Sequence, residues 1–159
     1  MERLDARVVV VWLWRVLVFA VVLAGAAGIG SGVLDVGVSS AAAAVAVFGV
    51  VALLGATHAL LRYRIWRFDV REDTLYIEHG VLVRVRTTVP YVRVQHVDSR
   101  RGPLERVLGL GRVVVYTAGS RGADVTIPGL SRERAADAQE TLRALAIESE
   151  PENGEGDAV

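Results

Sequence analysis

The sequence predicts a two-helix transmembrane hairpin followed by a β-rich α+β domain, a strongly bent antiparallel sheet or barrel capped by one C-terminal helix. Three observations predict it. From Val8 to Leu61 the only formally charged residues are Arg15 and Asp35, whereas charge is dense from Arg62 onward. From Trp66 the hydrophobic pattern changes from continuous to alternating, the period of a strand with one buried face. Near the C-terminus Ala135, Ala138, Leu142 and Leu145 recur at helical spacing. The resulting division is a hairpin over residues 1–64 with spans over about 12–34 and 38–61, a folded domain over 65–147, and an acidic tail over 148–159. It reconciles a 52% hydrophobic composition with 23% charged residues.

The first span rests on Val16 to Leu34, a run without charge and close to the roughly twenty residues needed to cross a hydrocarbon core. VVVVWLW extends it upstream, with Asp5 as a possible helix cap. Trp12 and Trp14 suit the headgroup layer, and Arg15 can snorkel toward phosphates. The run is longer than a signal-peptide core and a second span follows, so an uncleaved anchor is expected. Val36 to Leu61 is again long enough to span. Between them SGVLDVGVSS supplies the Gly, Ser and Asp of a tight turn. Small residues Gly25, Ala26, Gly28 and Gly32, set against Ala41 to Ala44, would let the two backbones approach. Arg3, Arg7 and Arg15 precede the hairpin and Arg62, Arg64 and Arg67 follow it, while its turn holds only Asp35. Positive-inside then puts both termini in the cytoplasm of a two-span, multi-pass protein of the cell membrane.

In the second half Trp66, Phe68 and Val70 share one strand face, EDT turns the chain, and Leu75 and Ile77 continue the inner face. After His79-Gly80, Val81, Val83, Val85 and Val89 alternate with Leu82, Arg84, Arg86 and Thr88, which reads as a further strand. Pro90 lacks a ladder donor and belongs at a strand start, an edge or a bulge. From there YVRVQHVDSR alternates again, Gly102-Pro103 breaks it, and Leu104, Val107 and Leu108 make one helical turn ended by Gly109. RVVVY is a buried strand, TAGSRG a hairpin tip and ADVTIP the returning strand. Ser131 caps the last helix, and the acidic Gly- and Pro-containing tail has the composition of disorder.

Strands followed by one terminal helix is the order of a pleckstrin-homology (PH) domain. The motifs make the likeness specific: Pro90, then Arg93-Val94-Gln95, Gly102-Pro103-Leu104-Glu105-Arg106, Gly109-Leu110 and Thr117-Ala118-Gly119, all in order. With the preceding hairpin, this pattern resembles the membrane-flanked bacterial and archaeal PH family of YdbS-like type over nearly the whole chain. The resemblance implies a PH-like fold, a membrane address and no reaction. Among eukaryotic namesakes that bind phosphoinositides, the basic residues lie in the first strands, and here Arg84 and Arg86 occupy a comparable region.

The chemistry that can be excluded is broad. The chain has no Cys, so disulfides and thiolate ligands are absent, and its 18 basic residues are all Arg, which removes Schiff-base and P-loop lysine chemistry. Its net charge of +0 gives no global attraction to nucleic acid. His58, His79 and His96 lack carboxylates at metal-ligand spacing, and no nucleophile motif occurs. Two sets of residues remain. Arg84 and Arg86, two apart on an expected strand, would face the same way and could bind anionic lipid or another phosphate. Pro90, Arg93, Gln95, Gly102, Pro103, Leu104 and Arg106 form a motif surface, with Arg93 and Gln95 expected to hold the GPLER loop against the sheet. The expectation is a non-catalytic docking or assembly module at the cytoplasmic membrane face, without cofactor. Its expected partners are membrane lipids and a membrane protein or second copy. Alternatives are an anionic-lipid sensor through Arg84 and Arg86, or an accessory subunit of an envelope transport or export complex.

Overall fold

The computed structural model describes residues 1–34, 37–119 and 124–149. Asp35 in the hairpin turn, the tip of TAGSRG with Arg121, and the acidic tail from 150 onward lie outside the described residues. The chain divides into two compact units, Val9–Arg64 and Met1–Val8 with Ile65–Val159.

The helical unit is built from α1 (Val8–Leu34) and α2 (Ser40–Ile65). At 27 and 26 residues, each is about 40 Å long and apolar enough to cross a bilayer core about 30 Å thick. On α1 the packed row advances four residues at a time through Trp12, Val16, Ala20, Ala24, Gly28 and Gly32, with Ala20 fully buried. A Cβ at Gly28 would lie 3.2 Å from the Ser40 carbonyl oxygen and 3.3 Å from Ala44 Cβ, and one at Gly32 would lie 2.8 Å from Ser40 Oγ. Absence of side chains there is what permits the approach. Gly25 faces open space instead, and a second close approach, Gly55 against Val16, was not anticipated. Ser31 and Thr57 donate their hydroxyls to Gly28 O and Leu53 O on their own helices, so neither needs water. Large apolar side chains such as Val21, Val22, Val45 and Leu53 remain exposed, the pattern of helices whose outer faces meet hydrocarbon.

The β-rich unit contains two antiparallel sheets. One has the order β1 (Glu2–Arg3), β2 (Arg67–Val70), β3 (Thr74–His79) and β4 (Val85–Pro90). The other has β5 (Val94–Arg100), β6 (Leu110–Thr117) and β7 (Val125–Ser131). A short 3-10 turn, Tyr91–Arg93, links the sheets, α3 (Pro103–Val107) joins β5 to β6, and α4 (Arg132–Glu148) closes the unit. Among the described residues the strands form two sheets and do not close into a barrel. The expected inner faces are the observed ones: Trp66, Phe68, Leu75 and Ile77 are buried in the first sheet, and Val113, Val115 and Ile127 in the second. Ala135 and Leu142 of α4 are fully buried, and Ser131 Oγ accepts the Arg134 N–H as the helix cap. That helix reaches Glu148, with Ser149 at its C-cap, so the first two residues of the expected tail belong to its end.

Besides the end of α4 and the 3-10 turn at Tyr91–Arg93, where the alternation had suggested strand, two larger features differ from the sequence reading. The first is the N-terminus, expected within the hairpin segment 1–64: Met1–Val8 belongs to the β-rich unit. Glu2 pairs with Phe68 and Arg3 with Arg67, so the helical hairpin is an insertion between two adjacent strands of one sheet. The segment is held by Asp5 N–H donating to Gly129 O at 2.8 Å, Arg7 Nη1 to Leu108 O at 3.0 Å and Arg134 Nη1 to Arg3 O at 3.2 Å. Leu4 and Val8 are buried with it. Gly129 makes room, at φ +61°, and a Cβ there would lie 2.5 Å from Val8 Cβ. The second is Val81 to Arg84, which is a loop, with β4 starting only at Val85. Gly80 at φ 105° turns the chain so tightly that any Cβ would collide with the Val83 carbonyl, and a left-handed residue ends strand geometry.

Candidate functional site

Because Arg84 stands in that loop and Arg86 on β4, the alternation that would align them does not operate. Both are exposed, and the Arg86 Nε is 3.5 Å from Glu78 Oε1 on the paired strand. Beside Arg84 the loop tip is apolar, with Leu82 at 93% and Val83 at 72% exposure. Two large aliphatic side chains turned wholly to solvent next to a cation form an amphipathic tip.

Pro90 ends β4 opposite Thr74 and caps the 3-10 turn, where its missing N–H costs no ladder bond. Tyr91 follows and is buried, its hydroxyl donating to Arg71 O at 2.7 Å. Burial of the ring pushes the phenol pKa up. Arg93 and Gln95 are exposed. Pairing jumps from Val94–Thr117 to His96–Tyr116, so Gln95 is the extra residue of a bulge. His96 stacks on Tyr116 at 4.1 Å between centroids, and Arg100 Nη2 donates to the Tyr116 hydroxyl.

The GPLER loop is anchored by a residue that the sequence reading passed over. Glu105 is 6% exposed; its Oε2 accepts the Gly102 N–H at 2.6 Å, Arg112 Nη2 at 2.8 Å and Arg112 Nε at 3.2 Å. This carboxylate and Arg112, rather than Arg93 and Gln95, tie α3 to β6. A signal was present: Pro at the first helical position with Glu two residues later is the pattern in which a side chain reaches back to the N-cap N–H. The anchor leaves Pro103, Arg106 and Val107 exposed on the outside of the loop, and Leu104 half-buried.

A groove of about 420 Å³ runs between β5 and α4, lined by Val94 to Val97 on the strand and by Gln139, Arg143 and Ile147 on the helix. β5 is an edge strand. Gln139 Nε2 donates to Val97 O at 2.9 Å, so one edge carbonyl is already bonded by a side-chain amide. His79 stacks on Trp66 at 6.0 Å. Among the described residues no group of three His, Asp or Glu side chains is placed to hold a metal.

Comparison with known proteins agrees with this arrangement. Residues 8–146 match the family described as bacterial PH domain. The chain is also similar to UPF0699 transmembrane protein YdbS of Bacillus subtilis (strain 168), at 36% identity over 105 residues. That alignment covers 63% of this chain and 64% of the relative's length. No solved structure matches.

Proposed function

The chain belongs to the bacterial PH domain family and is a membrane-associated, YdbS-like protein; we propose that it is a non-catalytic docking module at the cytoplasmic face of the membrane. The observation that carries this reading is the open edge of β5 beside the groove against α4. An extended segment of a membrane-protein partner can add to such an edge through main-chain hydrogen bonds, with its side chains seated between strand and helix. Gln139 already donates to the Val97 carbonyl, so an added segment would pair with the part of the edge before it, from Val94 to His96. The exposed Gln95 bulge and Arg93 lie at the start of the same edge.

The two-span topology is supported by the β1–β2 pair. A strand pair with the hairpin between its members requires the chain to return to the side that it left. With Arg flanking both hairpin ends, that side is the cytoplasm. A C-terminal tag should therefore be reachable only in permeabilised cells.

The docking test is site-specific photocrosslinking in native membranes from position 95, with position 140 on the exposed outer side of α4 as control. Adducts from 95 and not from 140 are expected. Absence of adducts at 95, or equal adducts at both, refutes docking at this edge. One observation favours a second reading, lipid sensing: the exposed Leu82-Val83 tip next to Arg84 has the chemistry of a loop that dips into an anionic interface. Loss of acidic-liposome binding on Arg84→Glu with Leu82→Ser would support it, and unchanged binding would remove it.

A further inference from the structure

The helical unit contains a cavity of about 470 Å³ between α1 and α2, at the end where α1 begins and α2 finishes. Its lining is divided. Trp12, Arg15, His58 and Arg62 supply the polar part, and Phe19 and Leu54 are among the apolar residues that complete it. The Arg62 guanidinium lies over the Trp12 ring, 4.5 Å from its centroid, which fixes that cation in place. Neither Val8–Leu34 nor Ser40–Ile65 contains an Asp or Glu, so neither helix supplies Arg15 or Arg62 with a carboxylate.

We infer that this cavity binds the phosphate of one anionic phospholipid, with an acyl chain lying along Phe19 and Leu54. Two cations lining one cavity in poorly polar surroundings repel each other unless an anion joins them. Guanidinium forks match phosphate oxygens, and the imidazole of His58 adds a third polar group. The apolar part of the lining identifies the source of the phosphate. An inorganic anion has no use for Phe19 and Leu54, whereas a phospholipid presents charge and hydrocarbon in the same order as the lining. The site lies wholly within the hairpin and is independent of the docking reading.

The test uses purified full-length protein, washed with detergent and examined by native mass spectrometry after equilibration with equal phosphatidylglycerol and phosphatidylcholine. One retained phosphatidylglycerol per chain is expected. Arg15→Gln with Arg62→Gln should lower its retention at least tenfold. Arg64→Gln, which removes one positive charge from an exposed position outside the cavity, should leave it unchanged. Leu54→Trp narrows the apolar part without altering any charge and should also lower retention. Inorganic phosphate at millimolar concentration should not compete. Equal retention by the double variant with unchanged helical circular dichroism would overturn the inference. So would equal loss in Arg64→Gln, no effect of Leu54→Trp, displacement by free phosphate, or no preference for phosphatidylglycerol.

Discussion

Replacing Glu105 by Ala should destabilise the β-rich unit by about 2–3 kcal/mol. The carboxylate is 6% exposed and takes three hydrogen bonds, one from Gly102 N–H and two from Arg112. A bond to a charged group contributes roughly 1.5–3 kcal/mol, and removing one member of a fully buried pair costs about 3–5 kcal/mol. The Arg112 side chain is 32% exposed, so water can solvate the abandoned guanidinium and the cost falls below that of a fully buried pair. Arg112→Ala should cost more, because the carboxylate left behind is the less exposed partner, with only the Gly102 N–H to answer it. The double variant should cost less than the sum of the singles, with a coupling of at least about 1 kcal/mol. The chain has three tryptophans, so Trp12→Phe with Trp14→Phe leaves the buried, His79-stacked Trp66 as sole reporter of this unit. Thermal unfolding followed by Trp66 fluorescence in detergent should fall by about 10–20 °C for Glu105→Ala, at roughly 4–8 °C per kcal/mol. A change below about 3 °C, or strict additivity in the cycle, would refute the argument that this pair anchors the loop.

Two further outcomes follow from the N-terminal segment. Gly129→Ala should destabilise the unit by about 2–4 kcal/mol, combining a left-handed non-glycine backbone with overlap against Val8. In the same Trp66 assay Val8→Gly, which removes the Cβ as well as both Cγ atoms, should restore part of the loss, and no rescue would show that the contact is unimportant. Asp5 carries a carboxyl held below its ordinary value, mainly by the hydrogen bond from the Arg7 side chain, against an opposing effect of burial. A depressed folded-state pKa adds stability that is fully present above the unfolded value of about 3.9 and is lost as pH falls through the folded value. Asp5→Asn should therefore lower stability at pH 7 by about 1 kcal/mol or less and flatten the acid limb below about pH 4; an unchanged acid limb would count against the linkage.

The hairpin, the inner faces of β2, β3 and β6 and the stripe of α4 were legible in the sequence because each repeats a physical period over several residues. Leu75 and Ile77, or Ala135 and Leu142, are buried where that period puts them. β1 was not legible. Two residues, Glu2 and Arg3, carry no period, and their place comes from pairing with residues more than sixty positions away. Val81 to Arg84 misled for the opposite reason, since a valine-rich run imitates a strand while the left-handed Gly80 turns it into a loop. The GPLER turn forms where Gly102-Pro103 suggested, whereas Pro90 closes β4 instead of opening the next strand, and the residue fixing the turn, Glu105, was not among those singled out. Glu105 is buried because Arg112, seven residues later, brings a cation to it, and no local propensity encodes that meeting.

The N-terminal segment shows why such distant contacts matter to a fold interrupted by a helical hairpin. β1 adds only two residues to its sheet, too few to be stable as a ladder alone. Its hold comes from contacts spread over both sheets and α4: Asp5 to Gly129 on β7, Arg7 to Leu108 before β6, and Arg134 of α4 to Arg3. The exposed guanidinium bonds add little to this; the larger share comes from buried Leu4 and Val8, each burying an aliphatic side chain at roughly 1.5–3 kcal/mol. That is a sizeable fraction of the stability of a small domain. The β-rich unit is therefore completed by residues that precede the helical hairpin in the chain, so β1 can pair with β2 only after the hairpin and β2 have been synthesised.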